Sequence, residues 1–224
     1  MRILTASLAL VGLVCAVQGV VQVADVYEQT NQGGSTTRVY DNCQDLSGSC
    51  VSGNWNNRIR STCIYGTWIF FENTDFNPAG TGGAEWAWGS GYCFNLGNAM
   101  LGRSKSMRYV GDVANNEAAT VSLFINDYFQ GPGITIQGNV PNLSGVTIGS
   151  IITTGNLAYT VWSETGYGGQ SACLLPDGNK PVFYINLSAV GISKISSVSL
   201  GCSSDVVARG FSPEKEGHGH FPRV

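Results

Sequence analysis

The chain has 224 residues, of which 12% are charged and 43% hydrophobic, and its formal net charge is −3. Disordered chains combine low hydrophobicity with high net charge, so this composition excludes an intrinsically disordered protein. The chain also lacks the basic excess that binding to a phosphate backbone requires, and we therefore expect no nucleic-acid partner. The length suits one large or two small domains.

Residues 1–19 have the pattern of a secretory signal peptide. Arg2 supplies a short positive region, residues 3–17 are almost wholly apolar, and Val17 and Gly19 occupy the positions that a signal peptidase reads before cleavage. A buried first strand or helix is the alternative interpretation. The apolar run is short for a membrane span, and no later stretch approaches about 18 consecutive apolar residues. We expect a secreted, extracellular protein with no transmembrane segment once the signal is removed.

A short pattern recurs four times: an aromatic residue, a second aromatic five positions later, and a glycine two positions further on. The copies that begin at Phe124 and Trp162 are complete. The copy at Phe71 has a proline in place of the glycine, and the copy at Tyr27 has a glutamine in place of the second aromatic. The residues that carry the pattern are Tyr27 and Gly34; Phe71 and Phe76; Phe124, Phe129 and Gly131; and Trp162, Tyr167 and Gly169. We interpret them as an internal repeat.

The spacing within each copy predicts a local fold. Residues five apart point to opposite faces of a flat strand, so two aromatics at this spacing share a face only if the chain folds back between them. The glycine supplies the backbone freedom that such a turn needs. Each copy is therefore predicted to be a strand that enters a tight hairpin held by paired rings.

The remaining sequence predicts an all-β protein. Short apolar or alternating segments are separated by clusters of Gly, Asn, Pro and Ser, and no stretch has a helical apolar stripe of adequate length. This pattern is typical of a β-sandwich or barrel. The polar residues 112–120 are predicted to be a linker. Residues 204–224 lack a strand pattern and are predicted to form a flexible tail.

Four aromatic hairpins in two pairs resemble the βγ-crystallin superfamily. The third copy is the most similar, since residues 124–131 are followed by Gly138-Asn-Val-Pro-Asn-Leu-Ser144, like the usual continuation in that family. The resemblance implies two antiparallel Greek-key β-sandwich domains, at residues 20–111 and 121–203, each made from two motifs.

The family also has a calcium signature near the end of each motif: two Asn or Asp residues, two variable residues, Ser or Thr, then Ser. The first copy keeps Asn56, Asn57 and the final Ser61, but Arg60 replaces a hydroxyl ligand. The other copies, read at residues 102–107, 145–150 and 192–197, match less well. The resemblance therefore implies no high-affinity calcium site and at best a weak one at Asn56, Asn57 and Ser61. The alternative is that these residues only turn the chain into the last strand. We expect no other cofactor.

Six cysteines lie outside the signal, and an even number in an exported chain indicates disulfides. Cys173 and Cys202 are the only cysteines of the second implied domain and are expected to pair. The first domain allows three pairings of its four cysteines. Among them we favour the local pair Cys43–Cys50, which leaves Cys63–Cys93.

The second copy carries about eleven extra residues within 77–92, and this insertion contains Trp86, Trp88 and Tyr92. Exposed rings there could bind a sugar or a partner, whereas inward-facing rings would be core or domain-interface packing. We favour packing. Asn142 and Asn186 begin sequons and are possible glycosylation sites in a host that glycosylates secreted proteins.

Catalytic residues are hard to place. Both histidines, His218 and His220, fall in the predicted tail, which disfavours a histidine-activated nucleophile in the folded part. Two histidines without an evident third ligand also make a weak metal site. We predict that the protein is not an enzyme but a structural or interaction protein with an unknown extracellular partner or with itself. The alternatives are a glycan or microbial-surface binding module and a weak calcium-binding protein.

Overall fold

The computed structural model describes residues 19–221, so the predicted signal sequence, residues 1–18, lies outside the described residues. The described chain is built almost entirely from strands, which confirms the all-β prediction. The strands are β1 (Val23–Tyr27), β2 (Thr36–Val39), β3 (Ser61–Phe71), β4 (Ala84–Asn95), β5 (Ser106–Tyr109), β6 (Thr120–Phe124), β7 (Gly133–Ile136), β8 (Ser150–Thr154), β9 (Tyr159–Glu164), β10 (Gly168–Leu174), β11 (Val182–Tyr184), β12 (Ser197–Leu200) and β13 (Gly217–Phe221). One short helix, α1 (Leu187–Val190), and two 3-10 turns, Thr74–Phe76 and Asp127–Phe129, complete the regular structure. None of these helical segments is long and apolar enough to cross a bilayer.

The strands form three antiparallel sheets. The first has the order β13-β4-β3-β1-β2, with β5 also paired to β3; the second has the order β11-β8-β6-β7; and the third has the order β10-β9-β12. Neighbours in the sheets are in some cases distant in sequence, as in β13, which pairs with β4. These long-range pairings are what the short alternating segments of the sequence could not specify alone.

Apolar side chains form two cores and a cluster between them. The N-terminal core contains buried residues between Ala24 and Met107, and the C-terminal core contains buried residues between Val121 and Val198. Residues 112–119 connect the two, and β6 already begins at Thr120, the last residue of the predicted linker. A third group, here called the central cluster, takes residues from both sides: Ile69, Phe71, Phe76, Ala84, Val110, Phe124, Phe129, Ile152, Phe183 and Phe221.

The four repeated hairpins share one backbone conformation. The residue at the second aromatic position has a positive φ in every copy: 58° at Gln32, 64° at Phe76, 62° at Phe129 and 65° at Tyr167. The glycines two positions on have φ between 74° and 76° in the three copies that possess one. In the second and third copies the two rings meet edge to face, with 5.7 Å between centroids in Phe71–Phe76 and in Phe124–Phe129. The predicted ring-paired hairpin is confirmed in these two copies.

A buried serine holds each hairpin closed. Its hydroxyl donates to a carbonyl at the start of the hairpin, 2.6–2.7 Å away, and accepts the N–H of the positive-φ residue at 2.9–3.1 Å. The four serines are Ser61, Ser106, Ser150 and Ser197, and all are fully buried. In the second copy the serine is Ser106, whereas the segment read from the sequence, residues 102–107, ends at Met107. The equivalent segment therefore runs over residues 101–106. The register assigned from the sequence was wrong by one residue.

We expect Ser150→Ala to lower the free energy of unfolding by about 1–3 kcal/mol, because it leaves the buried Phe129 N–H and the partly buried Asn126 carbonyl without their partner. Urea unfolding measures the change. Ser144→Ala, at an exposed loop position, is the matched control and should unfold like the wild type. Equal stabilities for the two variants would contradict the role of the serine hydroxyl.

All three disulfides have the partners that the sequence analysis favours. Cys63–Cys93 joins directly opposite positions of β3 and β4, Cys43–Cys50 closes a loop after β2, and Cys173–Cys202 links β10 to the residues after β12. Each closes a loop that the unfolded chain would otherwise leave open, and in the chain-entropy model this restriction of the unfolded state stabilises the fold.

The prediction of a flexible tail is wrong for the described part of residues 204–224. Cys173 N–H donates to the Val206 carbonyl at 2.8 Å, and the backbones of Phe183 and Phe211 exchange two hydrogen bonds. The chain then crosses to the first sheet, where β13 pairs with β4 in antiparallel register. We call residues 204–221 the C-terminal strap. Glycine and histidine are weak strand formers, so the strand depends on pairing with the edge of β4 rather than on local preference.

Candidate functional site

Trp86, one of the three aromatic residues of the insertion that could bind a partner, is partly buried. Its ring centroid is 5.1 Å from that of Phe183 and 6.1 Å from that of Phe211, and it packs against the central cluster. Gly219 of β13 is the cross-strand neighbour of Trp86, and a Cβ at Gly219 would lie only 2.9 Å from the indole nitrogen. The glycine therefore lets the strap approach the indole, and Trp86 serves packing.

Trp86 and Trp88 are two residues apart on β4 and so lie on the same face of the strand, whereas Tyr92 is not brought together with them. Trp88 is partly buried and pairs across the sheet with Thr67 of β3 and Gly217 of β13. Tyr92 packs against the N-terminal core, with its ring stacked on Phe94 at 5.5 Å. A bulge between the two positions changes which face of the sheet successive residues occupy.

The strap also carries both histidines onto a buried carboxyl that sequence analysis missed. Glu85 is fully buried, and burial raises its pKa to about 8. Its two oxygens accept from the N–H of Gly97 at 3.2 and 3.1 Å. His218 Nε2 lies 3.8 Å from Oε1 and His220 Nδ1 lies 3.5 Å from Oε2. We refer to Glu85, His218 and His220 as the Glu–His cluster.

His218 is fixed on both sides. Its ring stacks on Phe94 with 4.2 Å between centroids, and its Nδ1 is 3.1 Å from the hydroxyl of Tyr92. Burial and the neighbouring His220 lower the pKa of His218. The inference that both histidines lie outside the folded part was wrong. The signal that could have shown this is the alternation Gly217-His218-Gly219-His220-Phe221, which places both imidazoles on one face of a strand.

The chemistry available to the Glu–His cluster is proton exchange between a buried carboxyl and two imidazoles. Among residues 19–221, no group of three His, Cys, Asp or Glu side chains is arranged to hold a metal ion. The cluster brings two side chains of the strap to within 3.5 and 3.8 Å of a buried carboxyl of β4.

The residues of the weak calcium candidate make hydrogen bonds within the protein, although, among residues 19–221, the side-chain oxygen of Asn56 is buried without a partner. Asn56 Nδ2 donates to the Asp45 carboxylate at 3.1 Å, and Asn57 adopts a positive φ of 59° and donates its N–H to the Ser104 carbonyl. The hydroxyl of Ser61 both donates and accepts within the first hairpin. With the corrected register, Lys105 occupies in the second copy the place that Arg60 has in the first. Both expected hydroxyl ligands of the first domain are thus replaced by cations.

The two sequons differ in accessibility. Asn142 is exposed, and its side-chain oxygen accepts the N–H of Ser144 at 2.8 Å in a turn. Asn186 is partly buried and caps α1, with its side-chain oxygen accepting the N–H of Ala189 at 3.0 Å. Asn142 is therefore the better candidate for glycosylation.

Arg108 of β5 is a second buried charged residue that the sequence analysis missed. Its guanidinium carbon lies over three rings, 4.0 Å from the centroid of Phe76, 4.9 Å from that of Phe124 and 5.0 Å from that of Phe71. Nη2 donates to the carbonyl of Gly131. Burial lowers the pKa of Arg108 to about 9, so the group remains a cation at neutral pH. It connects the second hairpin to the third.

No protein-family model matches the chain, and a search of curated proteins found no similar sequence. Among solved structures, Geodin, a βγ-crystallin from Geodia cydonium, superposes with a TM-score of 0.61 at 16% identity, covering 80% of this chain and 98% of Geodin. A βγ-crystallin from an archaeon matches 37% of this chain and 98% of its own, at 23% identity and a TM-score of 0.32. The match to Geodin over most of both chains shows that this protein has the βγ-crystallin fold.

Proposed function

We propose that this βγ-crystallin-fold protein is a secreted, non-catalytic structural or interaction component of an extracellular space. The observation that carries the proposal is the set of three disulfides, since such bonds persist in oxidising compartments. Every cysteine of the described chain is oxidised and so cannot act as a nucleophile. The predicted signal peptide supports the same compartment.

The packing of the chain supports a durable rather than a mobile protein. The central cluster joins both cores, and Phe221 of the strap packs against Phe129 and Phe183 within it. A serine hydroxyl holds each of the four hairpins closed, which restricts the motion of the backbone at the turns. Such a body suits a component that persists outside the cell or presents a fixed surface to a partner or to another copy of itself.

Expression of the full chain in a eukaryotic secreting host tests this function. We expect the protein in the medium to begin at Val20, to contain no free thiol and to carry a glycan that Asn142→Gln removes and Asn186→Gln does not. A chain that lacks residues 2–19 is the matched control and should stay in the cell. Retention of the full chain inside the cell with residues 1–19 intact and thiols reduced would overturn the proposal.

Calcium binding is the first alternative, and we expect it to be absent at millimolar calcium. Arg60 and Lys105 place two cations where the family signature has hydroxyls, so the melting temperature should be the same in calcium and in chelator. The double variant Arg60→Ser/Lys105→Ser removes both cations and should acquire a calcium-dependent rise. A calcium-dependent rise in the wild-type protein would show that a site survives.

Glycan or microbial-surface binding is the second alternative. Trp88 is the best candidate for the binding residue, because Trp86 and Tyr92 already pack against other rings. Trp88→Ala should then abolish retention on a glycan array without changing the melting temperature. Retention by Trp88→Ala, or no retention of the wild type, would exclude this function.

A further inference from the structure

A cavity of about 620 Å³ lies beside Arg108, between the loop after β2, the second hairpin and the turn before β7. Phe76 and Arg108 are its buried lining residues, and Asp41, Gln44 and Asp75 are exposed lining residues. Its volume is within the range of small-molecule sites.

The buried end of the cavity carries the positive charge of Arg108, whose hydrogen-bonding groups are only partly satisfied. Arg108 is only 4% exposed, and the one hydrogen bond that its guanidinium makes within residues 19–221 is that of Nη2 to the Gly131 carbonyl. Its Nε is buried without a hydrogen-bond partner. No carboxylate of residues 19–221 forms an ion pair with it. The three rings interact with the cation but offer it no hydrogen-bond acceptor, and a guanidinium has five N–H groups to satisfy.

The exposed end of the cavity is negative. Asp41 and Asp75 are both exposed there. Asp75 has a positive φ of 52°, and its N–H donates to the Gln44 carbonyl at 2.8 Å, which fixes the backbone of one wall against the other. The cavity therefore has a cation at its floor and two carboxylates at its rim. This separation of charge matches a ligand with an anionic end and a cationic end.

We propose that the cavity binds a small zwitterion, with its carboxylate at Arg108 and its ammonium group at Asp41 and Asp75. A carboxylate accepts the N–H groups of a guanidinium in a planar, directional arrangement, which an isolated arginine otherwise finds in an Asp or Glu. The low polarity around the three rings strengthens this contact. The short aliphatic part of the ligand would contact Phe76. This inference goes beyond the proposed function and does not depend on it.

The test uses γ-aminobutyrate and its two halves, butyrate and butylamine, titrated into the isotopically labelled protein and followed by backbone amide chemical shifts. We expect saturable shifts at Gln44, Asp75 and Gly133 with γ-aminobutyrate, and binding about tenfold weaker for each half. Asp41→Asn/Asp75→Asn should reduce the affinity for γ-aminobutyrate to that for butyrate. Asp205→Asn, at an exposed aspartate elsewhere, is the control and should bind like the wild type.

Three outcomes would overturn the proposal: no saturable shift with γ-aminobutyrate, equal affinity for butyrate and γ-aminobutyrate, or unchanged binding in a folded Arg108→Met variant. If Arg108→Met does not fold, the wild-type ligand series and the two aspartate substitutions decide the question, because both aspartates are exposed. Binding of butylamine as tight as that of γ-aminobutyrate would show a site for cations alone and would likewise exclude a zwitterion.

Discussion

Deletion of residues 214–224 is expected to destabilise the protein by about 3–5 kcal/mol, the usual cost of removing one buried phenylalanine. Phe221 is 5% exposed and contacts Phe129 and Phe183 of the central cluster, with ring centroids 5.0 and 6.4 Å away. The deletion also removes the strand that covers Trp86 and Glu85. For a chain of this length the loss corresponds to a fall in melting temperature of roughly 10 °C.

Differential scanning calorimetry measures the effect, and a chain that lacks only residues 222–224 is the matched control. Phe221→Ala should reproduce most of the loss, because the ring supplies most of the buried apolar area of β13. Tryptophan fluorescence should shift to longer wavelength in the deleted chain, since Trp86 loses its cover from Gly219. A deleted chain that melts with the control would show that the strap does not hold the two cores together.

The hairpins could be predicted because their information is local. Two aromatics and a glycine within eight residues determine the turn, and the serine that closes it lies on a strand of the same motif. The same locality accounts for the Cys43–Cys50 pair, whose cysteines are seven positions apart. Patterns of this kind are visible in one sequence without knowledge of the tertiary structure.

The strap and the buried charges could not be predicted because their partners are remote. Nothing near Gly219 in the sequence indicates that Trp86 will lie against it, and nothing near Glu85 indicates two histidines. The sequence alone predicts that Arg108 is exposed, because arginine is rarely buried without a partner. Its burial follows from the meeting of the second and third hairpins, which belong to different domains in the resemblance and whose contact the sequence does not predict.

We expect Glu85→Gln to become more stable relative to the wild type as pH rises from 5 to 8. The pKa of Glu85 is about 8 in the folded protein against an ordinary value of 4.5, so the folded state holds a proton that the unfolded state has released. This contribution to stability is fully present below 4.5 and is lost as pH rises through 8. Glutamine does not titrate. The difference between the two proteins should therefore change by up to about 1.4 kcal/mol per pH unit.

The pH dependence of stability that comes from His218 has the opposite sign to that from Glu85. The pKa of His218 is lowered in the folded protein, so its contribution is present above the ordinary value of 6.5 and is lost as pH falls through the folded pKa. The groups that face Glu85 are His218 and His220 of β13, while Tyr92 of β4 bonds His218. Within the window between the folded pKa of His218 and 6.5 the two slopes oppose each other, so the stability of the wild type should change little there, and His218→Gln should show the full slope that comes from Glu85.

Urea unfolding at pH 5, 6.5 and 8 separates these contributions, with Glu164→Gln as the control at an exposed glutamate. A constant difference between Glu85→Gln and the wild type across this range would mean that Glu85 is ionised throughout. A rise of this difference with pH is instead the result expected of a carboxyl that keeps its proton in the folded state.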